Sequence, residues 1–141
     1  MNALGMKLGA QLRGGEIIEL VGDVGAGKTT LTKSIALGMG IDEDVQSPSF
    51  TISRVYETSK GISLAHYDFY RLADAGIMNE ELHETLHDPA TVTVIEWAGI
   101  IHHVLPKDRL TISFAYSGEK SRTLTLTASG DMATRLLESI A

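Results

Sequence analysis

The chain has 141 residues, no cysteine, and a net charge of −6 from 12 basic and 18 acidic side chains. This length fits a single domain, 1–141, with a core large enough to fold without disulfides. The missing cysteines exclude thiolate zinc sites and cysteine nucleophiles, and the acidic balance argues against binding nucleic acid by bulk charge. With no run near the ~20 apolar residues of a membrane span and no signal-peptide layout, we expect a cytoplasmic protein that does not contact membranes.

The apolar pattern predicts alternating helices and strands along the chain. Leucines four apart, at Leu4, Leu8 and Leu12, indicate a first helix over Met1–Arg13. A buried strand, a loop and a second helix follow at Glu16–Val21, Gly22–Gly27 and Lys28–Met39. The remaining predicted elements are strands Phe50–Tyr56 and Ile62–Tyr67, helix Asn79–His87, strand Thr91–Trp97, hairpin Arg109–Tyr116 and Arg122–Ala128, and helix Asp131–Ile140. This order fits an α/β sandwich in which helices cover a mixed sheet.

The loop between the first strand and the second helix carries the strongest motif. Its sequence, Gly22-Asp23-Val24-Gly25-Ala26-Gly27-Lys28-Thr29, matches Gly-x-x-x-x-Gly-Lys-Thr. Glycines let backbone N–H groups approach phosphates, and the helix that follows presents its positive end to the same charge. Lys28 can reach the β- and γ-phosphates and the Thr29 hydroxyl can bind Mg²⁺. The candidate nucleotide contacts here are Gly22, Gly25, Ala26, Gly27, Lys28, Thr29 and Thr30.

Two acidic residues stand where predicted strands end. Asp68 follows Leu64-Ala65-His66-Tyr67, and Glu96 follows Val92-Thr93-Val94-Ile95. Ligands of open α/β sheets bind beyond the carboxyl ends of the strands, so both carboxylates can converge on the phosphate loop. We therefore predict that Asp68 and Glu96 serve the metal and the hydrolytic water; the alternative is two solvated surface acids.

Three further features are candidates for the same site. Ser47-Pro48-Ser49-Phe50-Thr51 carries three hydroxyls in a segment after the predicted second helix, where nucleotide switches contact the γ-phosphate and Mg²⁺. Arg71 can pair with a phosphate or form a plain salt bridge. Trp97, the single tryptophan, either packs in the core or covers the site.

Taken together, the chain resembles the bacterial TsaE family. Four stretches carry the likeness: Gly22 to Thr30, Ser47 to Thr51, His66-Tyr67-Asp68-Phe69-Tyr70-Arg71, and Val94-Ile95-Glu96-Trp97. The resemblance implies a P-loop NTPase-like three-layer fold with a central mixed β-sheet flanked by helices. It also implies hydrolysis of ATP with Mg²⁺ in a complex with the TsaD and TsaB proteins, during threonylcarbamoyladenosine modification of tRNA.

The resemblance also implies roles for single residues. Lys28 would hold phosphates, with Thr29 and Asp68 on the metal, and Glu96 would serve the metal and the attacking water. Further assignments place Thr51 in the switch-like loop, Trp97 as a support of the site, and Arg122 near the nucleotide. The tRNA would be reached only through the partner proteins.

The chain departs from the family pattern at Gly99, where the family usually has an acid, and over Ala75 to Ala90, which matches poorly. Inside that segment, His83-Glu84-Thr85-Leu86-His87 matches the zinc-protease pattern His-Glu-x-x-His, with His102 or His103 as a third ligand. Asp88-Pro89 ends this helix one residue later, which favours solvated surface histidines over a zinc hydrolase.

Other interpretations keep the phosphate loop but assign the protein a different function. A small-molecule kinase needs an arginine-bearing lid, and the chain has no long insertion that would form one. A GTPase needs an Asn-Lys-x-Asp stretch, which the sequence lacks. A nucleotide-dependent assembly module with negligible hydrolysis of its own predicts that turnover rises when partners are added.

Overall fold

The structure is a computed structural model that describes residues 2–23, 27–45, 53–69, 79–102, 104–116, 118 and 121–141. Several residues singled out by the sequence lie outside these ranges: Gly25, Ala26, Thr51, Arg71 and His103. The hydroxyl-bearing segment from Ser47 lies outside them as well. The site below is therefore built from the described part of the loop and from the strand ends around it.

The described chain forms four α-helices and six β-strands. In chain order they are α1 (Asn2–Gln11), β1 (Ile17–Val21), α2 (Lys28–Gly38), β2 (Ser53–Glu57), β3 (Ser63–Asp68), α3 (Asn79–Leu86), β4 (Thr91–Glu96), β5 (Arg109–Tyr116), β6 (Arg122–Ser129) and α4 (Asp131–Ser139). A short 3₁₀-helix, Ala98–Ile101, follows β4. None of the helices in these ranges combines the length and apolar character needed to cross a membrane.

All six strands join one sheet in the order β2-β3-β4-β1-β5-β6. The four central strands are parallel, while β2 and β6 pair antiparallel at the two edges. Parallel strands need crossover connections, and the helices supply them on the faces of the sheet. The predicted α/β fold with a mixed sheet is confirmed.

The two faces of the sheet bury separate cores. Strand alternation sends Ile18 and Leu20 to one face and Ile17 to the other. The first core receives residues of α1, α2 and α4, among them Leu8, Leu31, Ile35, Ala133 and Leu136. In the second core, Tyr67 and Ile95 of the sheet pack with Leu82 and Leu86 of α3 and with Leu105 after the 3₁₀-helix. The helices thus sandwich the sheet, and α2 reaches it from the first face.

Glycines bring α1 and α2 into close contact. A Cβ atom built at Gly9 would lie 2.1 Å from the carbonyl oxygen of Ile35, and one at Gly38 would lie 2.3 Å from that of Met6. No side chain fits in this space, so the two backbones approach each other directly. This packing fixes α2, the helix that starts at the phosphate loop.

Candidate functional site

The start of α2 positions the lysine of the phosphate loop. Gly27 precedes the helix with φ 102°, a left-handed conformation that favours glycine, and Lys28 is the first helical residue. The Lys28 side chain is only 5% exposed. Its Nζ donates a hydrogen bond of 2.6 Å to the carbonyl oxygen of Gly22, at the other end of the loop. The ammonium therefore lies across the loop rather than in solvent.

Asp68 and Glu96 lie side by side at the carboxyl ends of parallel strands. They are the last residues of β3 and β4 and are direct partners in the strand register. Glu96 is also opposite Leu20 of β1, one residue before that strand ends. Both acids are buried, with exposures of 8% for Asp68 and 3% for Glu96. The structure thus brings the two predicted carboxylates to the strand end from which the phosphate loop departs.

The electrostatics link these carboxylates to the lysine. Burial lowers the pKa of Lys28 below its usual value, while the negative charges of Glu96, Asp68 and Asp23 act in the opposite direction. All three acids are therefore near enough to Lys28 to affect its charge. One buried cation and two buried carboxylates meet here, a set that suits a phosphate group and a divalent cation together.

The ring of Trp97 lies against the Lys28 ammonium. Lys28 Nζ lies 3.8 Å from the centroid of the indole ring, within cation–π range. The strand pattern predicted that β4 would include Trp97, but the strand ends at Glu96 because Trp97 takes φ 59°, a left-handed conformation. The half-buried ring also packs against the second core. Trp97 thus does both of the jobs that the sequence offered as alternatives.

A histidine that the motif analysis passed over contacts Glu96. His66 is fully buried on β3, and its Nε2 lies 2.6 Å from Oε2 of Glu96. In the sequence, His66 stood out only as the first residue of the stretch His66 to Arg71, and no role was assigned to it. The signal that could have found it is the strand period, which puts Leu64, His66 and Asp68 on one face of β3.

The remaining predicted contacts take different positions. Thr29 is half-buried in the first turn of α2, whereas Thr30 is exposed on the same turn. Arg122 begins edge strand β6, at the same end of the sheet but two strands away from β1. Its guanidinium carbon lies 4.3 Å from the ring centroid of Tyr116. A role for Arg122 at the nucleotide stays a prediction.

The histidines of the zinc pattern lie on the exposed side of α3. His83 and His87 are both exposed, with ring centroids 4.3 Å apart. Within the described ranges no group of three or more His, Asp or Glu side chains is placed to hold a metal ion. His102, one of the two proposed third ligands, instead pairs with Glu19.

Glu19 forms a second buried carboxylate cluster on the other face of the sheet. It lies in the middle of β1 and is 3% exposed. Oε2 accepts a hydrogen bond from His102 Nε2 at 2.6 Å, while Oε1 accepts from Arg109 Nε at 3.2 Å and Thr111 Oγ1 at 3.3 Å. The sequence predicted a buried strand here but gave no role to the charge inside it.

A family model and individual relatives with the same description match this chain. Residues 1–124 match the family model of the threonylcarbamoyl adenosine biosynthesis protein TsaE. The tRNA threonylcarbamoyladenosine biosynthesis protein TsaE of Bacillus subtilis is 40% identical over 126 residues, which cover 89% of this chain and 78% of that protein. The protein with the same description in Streptomyces coelicolor is 35% identical over 136 residues, 93% of this chain and 92% of that one.

A solved structure shares the fold. The crystal structure of YdiB from Bacillus subtilis superposes with a TM-score of 0.82 at 35% sequence identity. The superposition covers 99% of this chain and 85% of that chain.

Proposed function

The chain belongs to the TsaE family, and from that membership we propose that it is a magnesium-dependent ATPase that acts with the TsaB and TsaD proteins in threonylcarbamoyladenosine modification of tRNA. The observation that carries the proposal is the meeting of Lys28, Asp68 and Glu96 at the start of α2. The location of the protein in the cytoplasm stays a prediction.

In this proposal Lys28, the loop and the first turn of α2 bind the phosphates of ATP. Lys28 binds the β- and γ-phosphates, for which the loop and the first turn of α2 also supply backbone N–H groups. An ammonium has three N–H donors, and the carbonyl oxygen of Gly22 takes one of them. Among the described residues no other hydrogen-bond acceptor is recorded for this ammonium, so the remaining donors can bind phosphate oxygens at a buried position.

The oxygen donors at the strand ends fit a magnesium ion. Two buried carboxylates, Asp68 and Glu96, and the hydroxyl of Thr29 are the ligand types that Mg²⁺ prefers. When bound, the ion would neutralise charge on the phosphate oxygens. Glu96 is the member that lies between β3 and β1, and we propose that it also orients the attacking water.

The net charge of −6 makes it unfavourable for this chain to hold tRNA alone. We propose that contact with tRNA passes through TsaD and TsaB. ATP turnover would then reset that complex and would not supply the transferred group.

The central experiment is a phosphate-release assay with ATP and Mg²⁺, with and without the TsaB–TsaD pair. We expect release that needs Mg²⁺ and rises when the pair is added. No release under either condition would contradict the ATPase proposal. Transfer of phosphate to a metabolite instead of water would favour the small-molecule kinase.

The first variant removes the loop cation, with a matched control on the same helix. We expect Lys28→Ala to weaken ATP binding about 10- to 100-fold, because a charge-assisted contact is worth about 1.5–3 kcal/mol. Lys33→Ala, which removes an exposed lysine of α2, should bind as the unchanged protein does. Calorimetry measures both. Emission of Trp97, the single tryptophan, gives a second readout because Lys28 lies against its ring. Unchanged affinity in Lys28→Ala would show that the phosphates bind elsewhere.

A further inference from the structure

The proposed function gives no role to the buried contact between His66 and Glu96. The imidazole is fully buried and its Nε2 lies 2.6 Å from Glu96 Oε2. His66 and Glu96 lie on adjacent parallel strands, and His66 pairs in register with Val94, two residues before Glu96. The contact is therefore diagonal, and it runs along the sheet face toward the strand ends.

The hydrogen-bond chemistry gives the direction of this contact. An ionised carboxylate can only accept, so Nε2 is the donor. The other ring nitrogen, Nδ1, is buried and has no hydrogen-bond partner among the described residues. His66 thus donates from Nε2 to one oxygen of Glu96.

Lys28 can compete with His66 for the carboxylate of Glu96. Glu96 exerts the largest favourable charge effect on Lys28 of any acid. Even so, no ion pair joins Lys28 to Glu96 among the described contacts, and the ammonium binds the carbonyl oxygen of Gly22 instead. If the carboxylate were free to turn, a direct Lys28–Glu96 pair would neutralise the two groups on which ATP hydrolysis depends.

We propose that His66 is a positioning residue for Glu96, whose Nε2–H holds Oε2 and so keeps this carboxylate from pairing with Lys28 before nucleotide binds. The other oxygen of Glu96 is then left for the metal and the water. This inference rests on the proposed ATPase function for its kinetic consequence. Its structural consequence, the separation of Glu96 from Lys28, is independent of any activity.

The kinetic test compares a variant without the donor to one that keeps it. We expect His66→Phe to lower kcat for phosphate release about 10- to 100-fold, the range for partners that orient a functional group, with KM for ATP within about threefold. His66→Gln, whose amide places an N–H at a similar reach, should recover most of the rate. Equal loss in the two variants, or a loss confined to KM, would overturn the proposal.

A double variant tests whether His66 acts through Glu96. In a Glu96→Gln background, His66→Phe should lower the residual rate by less than about twofold, because the group it positions is already lost. A full further loss would show that His66 acts by another route. Thermal unfolding checks that each variant folds, and His66→Met replaces His66→Phe if the ring prevents folding.

The structural test needs no turnover. A crystal structure of His66→Phe without nucleotide should show Glu96 turned to within 4 Å of Lys28 Nζ, with a changed emission of Trp97 in solution. An unmoved Glu96 would overturn the proposal. If the unchanged protein released no phosphate with the TsaB–TsaD pair, the ATPase proposal would fail while this crystal structure still decided the role of His66.

Discussion

Two buried glutamates on adjacent strands, Glu96 and Glu19, look alike at first and differ in how they are used. Each is 3% exposed, and each has a histidine nitrogen 2.6 Å from one carboxylate oxygen. They lie on opposite faces of the sheet. Glu96 ends β4 beside the phosphate loop, whereas Glu19 lies in the middle of β1, away from any strand end.

The difference is in how far the oxygens are occupied. Both oxygens of Glu19 accept hydrogen bonds, from His102 on one side and from Arg109 and Thr111 on the other. Arg109 also donates to the carbonyl oxygen of Pro106 at 3.0 Å, so the cluster ties that segment to the central strand. Among the described residues only one oxygen of Glu96 has a hydrogen-bond partner, and Glu96 is the acid that most strongly favours the charged form of Lys28. A fully paired buried carboxylate holds structure together, while one with spare acceptor positions at a strand end is available for chemistry.

The largest expected effect is a loss of activity on substitution of Glu96, which distinguishes Glu96 from Glu19. We expect Glu96→Gln to lower phosphate release with the TsaB–TsaD pair about 100- to 1,000-fold, as for the loss of a group that acts at the transition state. Its free energy of unfolding should change by less than about 1 kcal/mol, since the amide oxygen can still accept from His66. A rate assay and denaturant unfolding measure the two quantities. Full activity in this variant would move the catalytic role away from Glu96.

The converse variant is expected to act on stability. Glu19→Gln removes the charge between His102 and Arg109, and we expect it to cost about 1–3 kcal/mol of unfolding free energy. For a chain of this length that corresponds to a decrease in Tm of roughly 3–10 °C. Calorimetry checks the decrease, and phosphate release below the transition should stay within about twofold. A rate loss like that of Glu96→Gln would end the distinction between the two clusters.

The smallest effect is expected at the exposed end of the second cluster. The His102 side chain is 54% exposed, so solvent screens its pairing with Glu19. We expect His102→Ala to cost less than about 1 kcal/mol, and less again at high salt. Denaturant unfolding at two salt concentrations measures this. A cost equal to that of Glu19→Gln would show that His102, rather than Arg109, holds the carboxylate.

Much of the fold could be predicted because the apolar patterns of helices and strands repeat over a few neighbouring residues. The predicted hairpin Arg109–Tyr116 with Arg122–Ala128 agrees with β5 and β6 to within one residue at each end, since alternation over eight residues is a strong signal. The end of β4 was predicted one residue too late. Trp97 takes a left-handed φ there, and its ring contacts Lys28, which is far away in the sequence.

The candidate site divides in the same way. Lys28 follows from a motif, and Asp68 and Glu96 follow from their places after apolar runs, so the sequence could nominate all three. The pairing of His66 with Glu96 spans 30 residues, and that of Glu19 with Arg109 spans 90. Both depend on which strands become neighbours and in what register, which no local pattern specifies.

The sequence by itself determined the phosphate loop, the order of elements and the acids at the strand ends, because glycine conformation, residue period and strand length act over a few neighbouring residues. The tertiary structure alone decided which of two buried glutamates faces the loop. It did so by placing β4 between β3 and β1, so that one carboxylate meets a histidine and a lysine while the other is closed off by three donors on the opposite face.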